Sequence, residues 1–287
     1  MRLAKPHYTV RCSLYACSQG VPENNSLQGR LVVADEDMDR LESGYITCAE
    51  NGAMFTLDTF QNLPREGPEG FRGIAQIEKS ELVAVYNTYF RGKSKPARKI
   101  YDYLLILAQD KCPYCGGIGR PKNLDHYMPK AHFTQFSILP LNLIPACLDC
   151  NLGSKASGYA NTAEDQIIHP YLDGDRFFNE QWVFAKVVQG DPSVIEYYVQ
   201  APNTWSDIDK KRVEKHFKEF DLGKRYSCLA ADELSALVPQ WKAFFPLIGI
   251  DGVKSCLLEP VVESGVFPND WKRVMYQAIF FEGLDIF

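Results

Sequence analysis

Apolar residues recur at intervals of three and four along much of the chain, the spacing that places them on one face of an α-helix. The longest such stripe begins at Leu27 and ends at Cys48, just before an Asn-Gly step. Gly29 and Gly44 lie inside the stripe and argue against one unbroken helix. The same spacing predicts five further helices, at 80–90, 96–108, 205–220, 225–244 and 269–281.

Two segments depart from the helical spacing. Residues 181–200 form two β-prone runs on either side of Gly190-Asp191, which predicts a β-hairpin. Four Pro and Gly residues between 64 and 70 predict a loop. No run approaches the roughly 20 apolar residues of a membrane span, and the N-terminus lacks the hydrophobic run of a signal peptide, so we expect a cytoplasmic protein that does not contact a membrane.

The cysteines add chemistry to this helical pattern. Four of the nine form two Cys-x-x-Cys pairs, Cys112/Cys115 and Cys147/Cys150. Two residues between cysteines allow one tight turn to supply two thiolates, and two such turns complete a tetrahedral zinc site. The alternative is four buried free thiols. Of the rest, Cys12 and Cys17 are too poorly matched for a second metal site and are interpreted as ordinary buried thiols, and the count as a whole indicates a reducing compartment.

Polar residues of catalytic type surround the second pair. Asp125 and His126 lie between the two pairs, Asn142 precedes the second pair, and Asn151 directly follows it. Leu124 predicts a short strand, and the chain after Cys150 predicts the start of a helix. We therefore expect a strand, a loop, a second strand and a helix around the zinc knuckles.

These residues resemble the HNH endonucleases of the four-cysteine, ββα-metal type. The resemblance rests on Asp125-His126-x-x-Pro129-Lys130, on Asn142-Leu143-Ile144-Pro145, and on Cys147-x-x-Cys150-Asn151 followed by Lys155. It covers about 45 of the 287 residues. The flanks, at 96–102 and at His169-Pro170-Tyr171, are similar to those of bacterial HNH proteins of anti-phage defence. Asn151 stands where some members of the family have His, and Asn also occurs there.

The resemblance implies a role for each residue. His126 would be the general base that activates water, since an imidazole titrates near neutral pH. Asp125 and Asn151 would hold a catalytic Mg²⁺ or Mn²⁺ through oxygen, beside the structural Zn²⁺. Asn142 would orient the catalytic loop or His126. Three further side chains are candidates for phosphate contacts or for ordinary solvated positions: Lys130, His132 and Lys155.

The predicted fold is mainly α with a small central ββα-metal module of the HNH, zinc-knuckle type. We expect an N-terminal helical region at 1–95, the nuclease module at 96–160, and a mostly helical C-terminal region with a β-hairpin at 161–287.

The charge distribution supports a nucleic-acid partner, although the net charge is −5. Residues 91–155 carry 10 basic and 4 acidic side chains, whereas 1–90 carry 8 and 12 and 156–287 carry 13 and 20. Arg91, Lys93 and Lys95 lead into the positive segment and are candidate DNA-backbone contacts, or else a solvated basic linker. The acidic flanks suggest a nuclease that is restrained until a partner delivers it.

Two functions remain open from the sequence. The first is a metal-dependent DNA endonuclease, a phosphodiester hydrolase serving as the nuclease subunit of an antiviral defence system, with restriction and mobile-element roles as alternatives. The second is a non-catalytic zinc module that binds nucleic acid or a protein. The chain lacks the Gly-x-x-x-x-Gly-Lys-Ser/Thr motif, so any ATP dependence would come from a separate ATPase subunit.

Overall fold

The computed structural model describes residues 1–63, 74, 76–154, 158–190, 192–264 and 267–282. The chain divides into two compact units, Met1–Asp173 and Gly174–Phe287. The boundaries that we predicted at 95 and 160 both fall inside the first unit, and the three-part division stays a prediction. The predicted loop at 64–70 lies outside the described residues.

The helices of the first unit follow the apolar pattern with one break. They are α1 (Val10–Ser18), α2 (Ser26–Val33), α3 (Asp35–Glu50), α4 (Lys79–Ala84) and α5 (Arg98–Leu107). The stripe from Leu27 to Cys48 is divided at Ala34, where α2 ends. Asn25 caps α2 by accepting a hydrogen bond from the Leu27 N–H at 2.9 Å, and three acidic residues open α3, where they favour the positive end of the helix.

The predicted helix at 80–90 is present but changes its winding. After α4 the chain continues as a π-helix, Val85–Phe90. The Glu81 carboxylate accepts a hydrogen bond from the Glu78 N–H at 3.0 Å and pairs with Arg30 at 2.6 Å, which anchors the start of the helix. Single π-turns inside helices are rare and often occur at functional sites.

The predicted strand at Leu124 is part of a two-stranded antiparallel sheet. Strand β1 (Asn123–His126) pairs with β2 (Leu143–Ala146), and α5 contacts both strands. The connection between the strands contains two 3₁₀ turns, Thr134–Phe136 and Pro140–Asn142. Most of this connection is buried, so it is a shaped part of the fold.

The second unit contains the predicted hairpin and the remaining helices. Strands β3 (Val183–Val188) and β4 (Val194–Val199) pair antiparallel between Val183 and Val199. The helices are α6 (Arg176–Asn179), α7 (Asp207–Glu219), α8 (Leu222–Val253), α9 (Glu259–Val262) and α10 (Trp271–Glu282). Helix α8 extends beyond the predicted end at 244, because Pro246 is accommodated and the interruption falls at Gly249, where φ is 68°.

Within the described residues, the architecture is mainly helical with two small antiparallel sheets, as the sequence predicted. No helix in that part of the chain has the length and apolar content needed to cross a bilayer. Cys17 is a buried thiol, as predicted, and burial raises its pKa to about 12. Cys12 is only partly buried.

Candidate metal centre and active site

The four predicted cysteines converge in the first unit. Their sulfur atoms all lie within 4.8 Å of one another, and all four residues are buried. Cys115 Sγ and Cys147 Sγ are 4.0 Å apart. Four thiolates bound to one Zn²⁺ at about 2.3 Å are about 3.8 Å from each other, so the cluster has the size and the donor set of a structural zinc site. The convergence of the four thiols fits the predicted zinc site rather than four unrelated buried thiols.

Glycines shape the first knuckle. Gly116 and Gly117 have φ of 64° and 94°, a region that residues with a side chain rarely adopt. The Gly117 N–H donates to the Cys112 carbonyl at 2.9 Å, and the Gly119 N–H donates to Cys115 Sγ at 3.3 Å. A Cβ on Gly119 would lie 2.5 Å from Cys147 Sγ, so only glycine allows the two knuckles to close.

The four neighbouring thiols compete with one another for protons. Hydrogen bonding from Cys112 lowers the pKa of Cys115 to about 7, and hydrogen bonds from Cys112 and then from the other two cysteines also lower the pKa of Cys147. Hydrogen bonding within the cluster raises the pKa of Cys112 and of Cys150. A divalent metal deprotonates coordinating thiols outright, which removes the competition among the four for protons.

Strand β1 presents Asp125 and His126 at its C-terminal end. Asp125 is paired with Ile144 and His126 with Leu143 across the hairpin. Both residues stand at the end of β1, where the connection to β2 begins. Asp125 Oδ2 accepts a hydrogen bond from the Tyr114 hydroxyl at 3.3 Å, which ties the carboxylate to the first knuckle.

The imidazole of His126 is held in a defined orientation. Its Nε2 lies 3.0 Å from the Ser137 carbonyl oxygen. A carbonyl only accepts, so Nε2 carries the proton and Nδ1 carries the lone pair of the neutral ring. The Tyr86 ring contacts the imidazole edge to face at 4.5 Å between centroids. These contacts give the ring the fixed orientation that a general base requires.

Asn142 fastens the loop between the two strands. Its buried side chain accepts hydrogen bonds at Oδ1 from the Met128 N–H at 2.7 Å and from the Tyr45 hydroxyl at 3.0 Å. Its Nδ2 donates to the carbonyls of Met128 at 3.2 Å and Phe136 at 3.0 Å. The side chain thus bonds to both ends of the segment that leads from His126 to Ser137.

A buried histidine extends this network. His169 Nδ1 accepts from the Tyr171 N–H at 3.3 Å, so the ring proton lies on Nε2, which is 3.1 Å from the Tyr45 hydroxyl oxygen. Tyr45 in turn donates to Asn142. Tyr171 also donates its hydroxyl to the Leu143 carbonyl of β2 at 3.2 Å. His169 therefore donates to Tyr45 of α3, and Tyr45 donates to Asn142 in the connection between β1 and β2.

Sequence reasoning did not assign Tyr45 or His169 to the site. Tyr45 belongs to the apolar stripe, where it is counted as core, and it is indeed fully buried. Its hydroxyl gives no signal in a pattern of apolar spacing. His169 lies in the flank that resembles bacterial HNH proteins, and that flank is the sequence signal that points to it.

Asn151 lies beside the Asp125 face of the hairpin. It sits in the π-helix Asp149–Ser154, and its Nδ2 donates to Asn123 Oδ1 at 2.7 Å. Asn123 and Asp125 are two residues apart on β1 and so share one face, with Cα atoms about 7 Å apart. The amide predicted as a metal ligand and the predicted carboxylate are therefore on the same side of β1.

The candidate phosphate contacts differ in their surroundings. Lys130 is partly buried, with Nζ 3.0 Å from Asn87 Oδ1. His132 is exposed and contacts the Tyr159 ring at 5.1 Å between centroids. Lys155 lies outside the described residues.

The candidates that precede the motif also differ. Arg91 and Lys93 are exposed. Lys95 is partly buried, and its Nζ donates to the Gly20 carbonyl at 2.9 Å, a bond that fastens α1 to this segment. Lys95 therefore has a structural contact in addition to its predicted role.

Comparison with known proteins identifies one full-length relative. The chain is 36% identical to Protein ea31 of Escherichia phage lambda over 299 aligned positions, which cover 99% of each protein. No family model matches the chain, and no solved structure matches it.

Proposed function

From the premise that this chain belongs to the family of Protein ea31 of Escherichia phage lambda, we propose that it is a metal-dependent endonuclease of the HNH type that hydrolyses phosphodiester bonds in DNA. One observation carries the proposal. The zinc-type cluster sits at the base of a two-stranded hairpin whose polar residues are those that such chemistry needs: a carboxylate and an amide on one face, and an oriented imidazole at the end of the same strand.

His126 performs the proton transfer in this mechanism. Its Nε2–H stays bonded to the Ser137 carbonyl, and its Nδ1 takes the proton from the attacking water. The Ser137 bond fixes the tautomer that makes Nδ1 the base. Asn142 holds the loop that contains this carbonyl partner, through its bonds to Met128 and Phe136.

Asp125 and Asn151 would hold the catalytic cation through oxygen. Carboxylate and amide oxygens are the ligands that Mg²⁺ and Mn²⁺ prefer, and two protein ligands leave positions for water and substrate. When bound, the ion supplies charge stabilisation for the phosphate and for the departing oxygen. Tyr114 keeps Asp125 in place through its hydroxyl.

The test is cleavage of plasmid DNA in Mg²⁺ or Mn²⁺ by His126→Ala. We expect a loss of about 10²–10⁴-fold in rate with zinc content and melting temperature preserved, because only the base is removed. His7→Ala, an exposed histidine of the same unit, serves as the control. Asp125→Ala and Asn151→Ala should also reduce cleavage and weaken divalent-metal binding.

Two results would contradict the proposal. Cleavage by His126→Ala at the wild-type rate would remove His126 as the base. Tight DNA or protein binding by the wild-type chain, with no cleavage under any divalent cation, would identify a non-catalytic zinc module instead.

The biological role that we propose is a nuclease subunit for defence against phage. The relative is itself a phage protein, which supports carriage on a mobile element. The acidic flanks of the basic segment suggest that the isolated chain cuts poorly and that a separate ATPase subunit activates it. Cleavage by the purified chain at physiological salt, with and without the product of a neighbouring gene, tests this. Equal activity in both would favour a stand-alone nuclease.

A further inference from the structure

A second set of polar side chains lies next to His126 and comes from outside the motif. The π-helix Val85–Phe90 contributes Tyr86, whose ring contacts the imidazole of His126 at 4.5 Å. The next residue, Asn87, is exposed. The extra residue in a π-turn redirects the side chains that follow it, and here it brings a ring and an amide to the same corner of the hairpin.

Lys130 joins this corner from the loop after β1. Its ammonium lies 4.6 Å from the centre of the Tyr86 ring and 3.0 Å from Asn87 Oδ1. Together with the Tyr86–His126 contact, these distances place Nζ no more than about 9 Å from the centre of the imidazole. Successive phosphates on one DNA strand are spaced about 3.4 Å apart along the helix axis. A cation within about 9 Å of the imidazole can therefore contact the attacked phosphate or one of its near neighbours.

Arg91 adds a second positive charge. It directly follows the π-helix, and its backbone N–H donates to the Tyr86 carbonyl at 2.9 Å. Burial, and next the charge of Arg91, lower the pKa of Lys130. Within the described part of the chain, neither Lys130 nor Arg91 forms an ion pair with a carboxylate. Arg91 is near enough for its charge to act on Lys130, and a pair of positive side chains of this kind is complementary to an anion.

We propose that Tyr86, Asn87, Lys130 and Arg91 form a phosphate seat. This is a binding site for a backbone phosphate of the nucleic acid, at or beside the phosphodiester that the water activated by His126 attacks. Lys130 supplies the charge, and Asn87 and the Tyr86 ring hold its ammonium in place. Arg91 supplies the second charge. The identification of the ligand as a nucleic-acid phosphate rests on the proposed function. Binding of that phosphate requires neither the catalytic cation nor cleavage.

The seat also gives the π-helix a role in catalysis. Tyr86 contacts both the base and the phosphate-binding lysine, so it fixes the distance between them. Tyr86 is therefore a positioning residue, while Lys130 touches the substrate. Removing the ring should disturb both functions, whereas removing the lysine should affect binding of the phosphate alone.

Binding of a short DNA duplex in EDTA, measured against salt concentration on the His126→Ala background, tests the seat without cleavage. We expect Lys130→Gln to reduce the slope of log affinity against log salt by about 0.9 and to weaken binding about fivefold at 0.15 M salt. The matched control is Lys79→Gln, which removes the same charge from a lysine whose Nζ donates to the Ala131 carbonyl. Zinc content and melting temperature confirm that both variants are folded.

The outcomes separate the seat from the enzyme. An unchanged slope for Lys130→Gln, or an equal loss for Lys79→Gln, would overturn the seat, because the charge would then act only through a diffuse field. If Lys130→Gln alone weakens binding but the wild-type chain never cleaves, the seat stands and the nuclease proposal fails. If His126→Ala abolishes cleavage and Lys130→Gln leaves the slope unchanged, the nuclease stands without the seat.

Discussion

The chain contains two antiparallel hairpins that are held together by different means. Strands β3 and β4 are six residues each and bury Val183, Ala185, Ile195 and Tyr197 against helices of their own unit. Strands β1 and β2 are four residues each, and β1 carries three polar residues in its four positions. Two-stranded sheets are marginal by themselves, so each needs support. The apolar hairpin obtains it from packing alone, whereas the polar one combines packing against α5 with its neighbouring cysteine cluster.

A buried asparagine forms hydrogen bonds next to each hairpin, and the two asparagines connect different parts of the fold. Asn269 Oδ1 accepts from the N–H groups of Trp182 and Val183 at 2.8 and 2.9 Å, and so joins the start of α10 to β3. Asn142 bonds to a loop that reaches His126. Helix α5, the cysteines and an amide stabilise the polar hairpin, so its stability does not depend on apolar side chains at the positions of Asp125 and His126.

The largest expected effect comes from removing the metal. Cys147→Ser should cause loss of zinc and unfolding of the first unit, since a metal in a four-cysteine site supplies folding free energy. The apolar hairpin of the second unit should stay folded. Metal analysis of purified protein, about one zinc per chain, and limited proteolysis measure both points. Cys228→Ser, at an exposed cysteine, is the control. Soluble, folded protein without zinc would refute the cluster's structural role.

The two buried asparagines provide a matched pair. Asn142→Ala and Asn269→Ala each leave buried polar groups without partners, and each should lower the free energy of unfolding by about 3 kcal/mol. Only Asn142→Ala should lower cleavage per folded molecule. Thermal unfolding and single-turnover cleavage, measured on the same preparations, separate the two effects. An equal loss of cleavage in both variants would show that Asn142 acts through stability alone.

A smaller effect is expected from one hydroxyl. Tyr45→Phe removes the donor to Asn142 and leaves the Nε2–H of His169 without its acceptor, a cost of about 1–2 kcal/mol. Tyr197→Phe removes a partly buried hydrogen bond in the other unit, to the Trp271 carbonyl at 2.8 Å. We expect kcat to fall only for Tyr45→Phe, with KM unchanged, because the loop orientation changes and the DNA contacts do not. Identical kcat values for the two variants would argue against positioning by Tyr45.

The smallest expected effect concerns Lys93 and Lys95, two of the basic residues that precede the motif in the sequence. Lys93→Gln should lower the salt slope of DNA binding by about 0.9 if this side chain contacts a phosphate, without changing sequence preference. Lys95→Gln should lower the melting temperature as well, because Lys95 also bonds to Gly20. Salt titrations and thermal melts of both variants test this difference. A Lys93→Gln slope equal to that of the wild type would make Lys93 a solvated surface residue.

The sequence predicted the cysteine cluster, the short strands and most helices, because spacing and turn chemistry are local signals. It did not predict where helices change winding. The π-turns after Ala84 and around Asn151 have no signature in the spacing of apolar residues. The sequence also did not predict the hydrogen bonds of Tyr45 and His169. The spacing of apolar residues is the same whether or not the hydroxyl of a buried tyrosine has a hydrogen-bond partner.

The bond between Tyr45 and His169 joins residues 124 positions apart in the chain. Contacts of such long sequence separation form late, because the intervening segment must first be closed into a loop. During synthesis, a nascent chain that has passed Asn151 already contains all four cysteines of the cluster and every candidate catalytic group, yet lacks His169. We therefore expect ribosome-bound chains to acquire zinc before they acquire an ordered His126 loop, a delay that would keep the proposed nuclease inactive until its synthesis has passed His169.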